Sequence, residues 1–258
     1  ITPATLSITG VTAANKVYDG TTAATVNFGS AALAGVLGTD VVTLNTTLAS
    51  ATFSNKNVGN AKTVSVSGMA ISGTDASNYT FNTTASTTAN ITARPLTITA
   101  TGINKVYDGL TTDTVTLADN RIAGDVLTTA YTTAAFLDKN VGTAKTVSVG
   151  GMTLSGTDSG NYTFNTTAST TANITARPIT VTAVTSSKVY DGLTTSLGIP
   201  TITSGSLAGT DSASWTQSFS NKNVGSNNKT LIPAGTVTDG NSGNNYSVTF
   251  VNSTTGTI

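Results

Sequence analysis

The strongest constraint on the fold is that the sequence repeats itself. SNKNVG at 54–59 returns as LDKNVG at 137–142 and again as SNKNVG at 220–225, so each copy starts 83 residues after the previous one. An asparagine–tyrosine pair recurs at nearly the same spacing. Self-similarity at a fixed period is the signature of a tandem array, so the chain is predicted to be three copies of one unit.

We assign these repeats to 1–91, 92–174 and 175–258. The first repeat carries six extra residues in a longer loop near 28–39, within NFGSAALAGVLG. An insertion tolerated there indicates a surface loop. Ile258 occupies the phase of the last core residue of each earlier repeat, so we expect the array to continue in a longer parent protein.

Hydrophobic and polar residues alternate within each repeat. In TVSVSGMAIS (63–72), Val64 and Val66 alternate with threonine and serine. This period of two is typical of strands with one buried and one solvated face. We predict an all-β chain of Ig-like β-sandwiches, with about six or seven short strands per repeat between Gly, Asn and Asp turns. A single helical turn is predicted at TDASNY (74–79).

No flexible linker separates the repeats. NITARPLTI passes directly from the last strand of the first copy to the first strand of the second. Arg94 and Arg177 each precede a proline, which favours extended backbone. We therefore predict stiff joints that bury little surface, and three sandwiches arranged end to end as a rod of roughly 110–130 Å.

The composition excludes several classes of function. All twelve acidic residues are aspartates, and the chain has no glutamate, histidine or cysteine. Ordinary zinc or haem ligation and imidazole or thiolate catalysis are thereby excluded. The net charge of zero provides no basic surface for nucleic acid, and no apolar run reaches the ~20 residues of a membrane span. We expect no enzyme activity, no catalytic, cofactor-binding or metal-binding residues, no cofactor and no membrane insertion.

The motif KVYDG occurs once in each repeat, at 16–20, 105–109 and 188–192. Asp-Gly after an apolar strand is a turn signal, because the aspartate accepts a backbone N–H two residues on and glycine supplies a positive φ. The tyrosine ring is expected to cover one end of the repeat, with its hydroxyl on a partner or solvent. A ligand-contacting loop or covalent chemistry at the lysine are the weaker alternatives.

The NKNVG motif is predicted to be a tight turn between two strands. Asn55, Lys56 and Asn57 form its tip, and Gly59 is expected in the left-handed conformation. Lysines here are interpreted as solvated charges at a strand edge, where they discourage aggregation of a threonine-rich sheet.

The strings KVYDGTT, DKNVGTAKTVSVGGMTLSGTDSGNYTF and ITARPLTIT resemble the YDG repeats of large bacterial surface adhesins, including filamentous-haemagglutinin-like proteins of two-partner secretion. The resemblance covers all three repeats and departs most in the third, around Pro233. It implies a β-rich stalk that extends a distal binding region from the cell, secreted or on the bacterial surface. We expect a monomer whose partners are the neighbouring repeats of its own chain.

The alternative function is a carbohydrate- or mucin-binding adhesion module that contacts host or matrix glycans. Its evidence is Trp215, the only tryptophan, together with Asn and Asp in nearby loops. A half-buried strand residue is the commoner role of such a tryptophan.

Two smaller possibilities concern single residue groups. Asp239, Asn241 and Asn244 offer oxygen atoms to calcium, but Asp239 is the only charge among them and calcium takes six to eight oxygens, so we expect no site. Lysines of KVYDG could form isopeptide bonds with the recurrent asparagines, but a lysine beside an exposed turn is poorly placed to lose its proton. We expect none of these bonds. The three lysine–asparagine pairs are Lys16 with Asn78, Lys105 with Asn161, and Lys188 with Asn245.

Overall fold

The computed structural model describes all 258 residues, which group into two units. The first unit comprises Ile1–Ile98, Asp119–Ala130 and Thr153–Asn165. The second comprises Thr99–Ala118, Tyr131–Met152 and Thr166–Ile258. The second repeat therefore contributes residues to both units.

The secondary structure is almost entirely strand. The first repeat contains β1 (Ala4–Thr9), β2 (Thr12–Ala13), β3 (Lys16–Val17), β4 (Val26–Asn27), β5 (Ala32–Ala34), β6 (Thr43–Asn45), β7 (Ser50–Phe53), β8 (Gly59–Ser67), β9 (Ala70–Ser72), β10 (Tyr79–Phe81) and β11 (Ala85–Thr92). The second contains β12 (Arg94–Leu96), β13 (Ile98–Gly102), β14 (Lys105–Val106), β15 (Val115–Asp119), β16 (Thr128–Ala130), β17 (Thr133–Phe136), β18 (Gly142–Gly150), β19 (Thr153–Ser155), β20 (Tyr162–Phe164) and β21 (Ala168–Thr175). The third contains β22 (Arg177–Thr182), β23 (Thr201–Ser204), β24 (Ser212–Phe219), β25 (Lys229–Thr238), β26 (Tyr246–Val251) and β27 (Ser253–Gly256).

The predicted all-β class is confirmed. The helical turn predicted at TDASNY is a 3-10 helix at Ala76–Asn78, and the second repeat has its counterpart at Ser159–Asn161. The first two repeats contain more strands than the six or seven predicted, because several are only two or three residues long. No helix of the chain has the length and apolar character needed to cross a membrane.

One four-stranded sheet recurs with the same strand order. It runs β3-β11-β8-β7 in the first repeat and β14-β21-β18-β17 in the second. The Lys-Val strand of KVYDG pairs in parallel with the last strand of its own repeat. In β8, Val64 and Val66 are fully buried while the intervening serine is exposed, as the period of two predicts. This sheet fixes the position from which the YDG turn begins.

A second sheet contains the first strand of each repeat. This strand pairs in parallel with the strand that begins at the tyrosine of the Asn-Tyr pair. β1 pairs with β10, β12 with β20, and β22 with β26. The recurrent tyrosine therefore lies beside the first strand of its repeat. In the second and third repeats, a single residue separates that first strand, β12 or β22, from the last strand of the preceding repeat.

The segment near 28–39 of the first repeat, predicted to be a longer loop, contains a short strand. Within the segment near 28–39, β5 pairs antiparallel with β1 through Ala32–Ala34. The other two repeats contain the equivalent pairings, β13 with β15 and β22 with β23, so this strand belongs to the fold that the repeats share and is not added by the insertion.

The left-handed residue of the NKNVG hairpin is an alanine, so the prediction for Gly59 was wrong. Ala61 has a φ of 47° and Ala144 a φ of 49°. Each lies at a β-bulge, and its N–H donates to a side-chain oxygen of the facing last strand, Asn90 at 2.8 Å and Asn173 at 2.7 Å. The asparagine fixes a conformation that alanine would otherwise avoid.

Candidate functional site

The lysine and aspartate of KVYDG lock the turn of their own repeat. Lys16 Nζ donates to Asp19 Oδ1 at 2.8 Å and to the carbonyl oxygens of Thr21 and Ala23 at 2.8 and 2.9 Å. It also lies 5.4 Å from the ring centroid of Phe53. Asp19 in turn accepts the N–H of Thr21 at 2.9 Å, as the turn prediction required. The lysine is therefore a structural donor inside its turn.

The second and third copies repeat this arrangement. Lys105 donates to Asp108 at 2.9 Å and lies 5.5 Å from the ring of Phe136. Lys188 donates to Asp191 at 2.7 Å. The glycines after these three aspartates all have a φ near +80°, at 78°, 81° and 79°. The three turns thus share one geometry as well as one sequence.

The tyrosine of KVYDG contacts the next repeat. Tyr18 is fully buried, and its hydroxyl donates to both carboxylate oxygens of Asp125 at 3.0 and 2.9 Å. Tyr162 of the second repeat donates to the same carboxylate at 2.6 Å. The two rings meet edge to face with centroids 5.5 Å apart. A buried aspartate of the second repeat thereby receives one tyrosine from each side of the junction.

The lysine of NKNVG also belongs to this junction. Lys56 Nζ lies 3.0 Å from Asp125 Oδ1 and 3.0 Å from Asp158 Oδ1, and 5.8 Å from the ring centroid of Tyr18. The interpretation of Lys56 as a solvated strand-edge charge was therefore wrong. Sequence alone could not show that the hairpin tip faces two aspartates of the following repeat.

An asparagine completes the junction through the backbone. Asn161, which is 4% exposed, accepts the N–H of Val58 at 2.9 Å with its side-chain oxygen. Its amide group faces Asn57 Oδ1 at 3.4 Å. Asn161 was considered for an isopeptide bond with Lys105. It is instead hydrogen-bonded to the preceding repeat, and Lys105 is hydrogen-bonded within its own turn.

The electrostatics of the junction favour an ionised aspartate. Burial acts to raise the pKa of Asp125, but hydrogen bonds from Tyr162, Lys56 and Tyr18 outweigh it and lower the pKa below its usual value. Burial and the Asp125 carboxylate raise the pKa of Tyr162 to about 12. Hydrogen bonds to Asp158, Tyr18 and Asp125 raise the pKa of Lys56. Both tyrosines stay neutral donors and the lysine stays a cation.

The second junction uses the equivalent residues. Tyr107 and Tyr246 donate to Asp211 at 2.9 and 2.7 Å, and their rings lie edge to face at 5.5 Å. Lys139 lies 3.4 Å from Asp211 and 5.6 Å from the ring of Tyr107. The N–H of Val141 donates to the side-chain oxygen of Asn245 at 2.9 Å. Two copies of one site thus occur in the chain.

The two remaining half-sites are exposed. In the third repeat, Tyr190 is 54% exposed and Lys222 has no ion pair. In the first repeat, Asp40 accepts a hydrogen bond from Tyr79 of its own repeat at 2.6 Å. No tyrosine or lysine of another repeat reaches it.

The junction aspartates were not identified from the sequence. Asp40, Asp125 and Asp211 each end a short turn that contains glycine, and that turn recurs once per repeat. The recurrence was the available signal. Its two intervals, 85 and 86 residues, are close to the period of the other recurrent motifs.

The other residues singled out from the sequence lie apart from the junction set. Trp215 is a half-buried residue of β24 and packs edge to face with Phe250 at 6.0 Å. Asp239 is buried, and its carboxylate accepts the N–H groups of Asn241, Gly243 and Asn245 at 2.7, 2.8 and 3.0 Å. These backbone bonds give Asp239 a role in the turn.

Comparison with known families agrees with the threefold pattern. The family model of the YDG domain matches residues 2–89, 92–172 and 175–256. No curated protein matches the chain.

The three tyrosines permit an internally controlled test. Tyr18→Phe and Tyr107→Phe each remove a hydrogen bond to a buried carboxylate, so each should lower the free energy of unfolding by about 1.5–3 kcal/mol. Tyr190→Phe removes a hydroxyl without a partner and should change it by less than about 0.5 kcal/mol. Denaturant titration measures all three. Equal effects at the three positions would contradict the junction assignment.

Stability should be flat between about pH 5 and pH 9, because the chain has no histidine or glutamate. Asp125 has a lowered pKa, so its contribution is complete above its unfolded pKa near ~4 and is lost as the pH falls through the folded value. Tyr162 has a raised pKa, so its contribution is complete below ~10 and is lost as the pH rises towards about 12. Melting temperatures across the range test this profile, and a transition near pH 7 would contradict it.

Proposed function

We propose that this chain, which belongs to the YDG domain family, forms structural spacer repeats of a bacterial surface adhesin and extends a distal binding region from the cell. The observation that carries the proposal is the junction itself. The most recognisable residues of the repeat, the tyrosine of KVYDG and the lysine of NKNVG, contact the next repeat. A module whose recurrent residues bind its own neighbour suits an array whose reach depends on the number of repeats.

The covalent connection also restricts motion. One residue, Ala93, separates β11 from β12, and one residue, Ala176, separates β21 from β22. Such a connection has little of the freedom of a Gly/Ser linker. Together with the tyrosine–aspartate–lysine contacts, it supports a stiff joint at both junctions, which a stalk requires.

The chemistry of the site supports a role without catalysis. The groups with the most altered pKa values, Lys56, Tyr162 and Tyr246, bind an aspartate at a junction. A perturbed pKa indicates a catalytic candidate when the group faces a cleft, whereas ion pairs inside an interface produce the same shift. We infer a non-enzymatic protein, secreted or held on the bacterial surface, whose partners are neighbouring repeats.

Small-angle scattering tests the spacer role. Three stiffly joined repeats should give a radius of gyration well above ~30 Å, whereas a compact globule of this length has one near ~18 Å. Replacing both junction aspartates, Asp125→Asn with Asp211→Asn, should broaden the distribution of dimensions because the joints loosen. Asp40→Asn is the matched control, since no other repeat contacts Asp40. A wild-type value near ~20 Å would contradict the proposal.

The alternative of glycan binding is favoured by one observation. Trp215 and Phe250 pack edge to face on the third repeat, and Phe250 is 39% exposed. Partly exposed aromatic faces are suitable for stacking on sugar rings. This surface is the best candidate for carbohydrate recognition in the chain.

A glycan array separates the two functions. Under the spacer proposal, the intact chain should show no specific binding. Micromolar binding that is lost in Trp215→Ala and retained in Leu197→Ala, whose side chain is 98% exposed on the same repeat, would establish the alternative.

A further inference from the structure

We propose that the repeats bear tension along the chain through a shear clamp, in which the first and last segments of a repeat lie side by side in parallel and the lysine of KVYDG locks their contact. This inference deepens the proposed spacer function and rests on it, because a stalk that is held at both ends carries a load. The first and third repeats, each contained within one unit, show the arrangement.

In the first repeat, the segment at its start runs parallel to the segment at its end. β1 pairs with β10, where Ala4 lies opposite Tyr79, and β3 pairs with β11, where Lys16 lies opposite Ile91. The partner lies 75 residues further along the chain at both places, so the two segments keep one register. They are therefore joined near both of their ends.

The third repeat has the same parallel contact in a longer form. β22 pairs with β26 along its whole length, Arg177–Thr182. Beyond it, the N–H of Ala183 donates to the carbonyl oxygen of Val251 at 3.0 Å, and the N–H of Lys188 donates to that of Thr257 at 3.1 Å. The start and the end of this repeat are thus joined from the first strand to the KVYDG motif.

Tension along the chain pulls these two segments in opposite directions. A load enters a repeat through its first strand and leaves through its last. One residue, Ala93, separates β11 from β12, so the load leaves the first repeat along the axis of β11. Because the segments are parallel, the two pulls slide one past the other and load the hydrogen bonds between them together. Antiparallel strands pulled apart at one end lose their bonds one at a time.

The strand from which the load leaves is held on both sides. In the first repeat β11 lies between β3 and β8 in the sheet. Its final residue, Thr92, accepts the N–H of Tyr18 with its carbonyl oxygen at 2.9 Å. The KVYDG motif therefore contacts the last strand at the point where tension acts on it.

The lysine of KVYDG reinforces the shorter of these two neighbours, because β3 has only two residues. Lys16 Nζ donates to the carbonyl oxygens of Thr21 and Ala23. The carbonyl oxygen of Thr22, between them, accepts the N–H of Phe53 in β7 at 2.8 Å. The ammonium group thus connects β3 to the turn and, through the turn, to the strand at the other edge of the sheet.

The third repeat makes the same connection. Lys188 Nζ donates to the carbonyl oxygen of Leu193 at 2.8 Å, and the next carbonyl, of Thr194, accepts the N–H of Phe219 at 2.8 Å. The side chains of Lys16 and Lys188 are 17% and 16% exposed. Hydrogen bonds from a charged, largely buried group are stronger than neutral ones, which suits a contact that resists force.

Single-molecule force spectroscopy with two attachment geometries tests the clamp. The chain has no cysteine, so introduced cysteines define where force is applied. Thr2→Cys with Ala93→Cys loads the first repeat of the full chain along the clamp. Ser50→Cys with Ser67→Cys pulls apart β7 and β8 where they lie opposite each other and peels an antiparallel pair. The first geometry should require at least about threefold more force at the same loading rate, because its bonds break together.

A lysine variant tests the role of the KVYDG motif in the same assay. Lys16→Met keeps the aliphatic stem and removes the donors, so along the clamp it should raise the unfolding rate under constant load by about tenfold or more. Lys62→Met is the matched control, since Lys62 Nζ donates to Asn55 within the β7–β8 hairpin. It should change that rate by less than about twofold.

Equal forces in the two geometries, or a lower force along the clamp, would overturn the inference. A rate in Lys16→Met that matches the wild type would reject the locking role of the lysine. If Lys16→Met does not fold, the comparison of geometries still decides. An elongated chain in scattering that yields easily along the clamp would keep the spacer role and lose the tension-bearing function, whereas a compact chain with a strong clamp would do the reverse.

Discussion

The junctions depend on keeping one buried aspartate charged. Burial alone would raise the pKa of Asp125 and favour its neutral form, which would weaken every contact to it. Two tyrosine hydroxyls and the Lys56 ammonium group reverse that preference. Tyr162 belongs to the same repeat as Asp125, whereas Tyr18 and Lys56 come from the preceding repeat, so the full set of donors to the carboxylate is present only when the two repeats are docked.

This requirement explains why KVYDG recurs. Its lysine and aspartate fix the turn, and its tyrosine, held by that turn, reaches the neighbour. The third repeat separates the two roles: Lys188 still donates to Asp191 at 2.7 Å although Tyr190 is largely exposed. The turn therefore forms without a partner, and the tyrosine is positioned before docking. A preformed donor loses less conformational freedom on binding than a flexible one.

The sequence predicted what depends on local order and could not predict what depends on contact between repeats. The period of two in the segment of β8 predicted strands, and the Asp-Gly signal predicted the turn of the KVYDG motif. The role of Lys56 was missed because its partners, Asp125 and Asp158, lie in the next repeat, far from it in sequence. Ala61 was missed because alanine rarely adopts a positive φ, and the Asn90 side chain that stabilises it lies on another strand.

The grouping of the chain into two units follows from the same contacts. Stability in a repeat array is the sum of each repeat's own stability and the terms between neighbours. The first and third repeats each have one junction, whereas the second has two, and its residues divide between the units that contain those junctions. The repeat of the sequence and the compact unit of the structure therefore do not coincide. A repeat that is marginal by itself gains stability from a neighbour whose tyrosine donates a hydrogen bond to its buried aspartate and whose lysine compensates the charge.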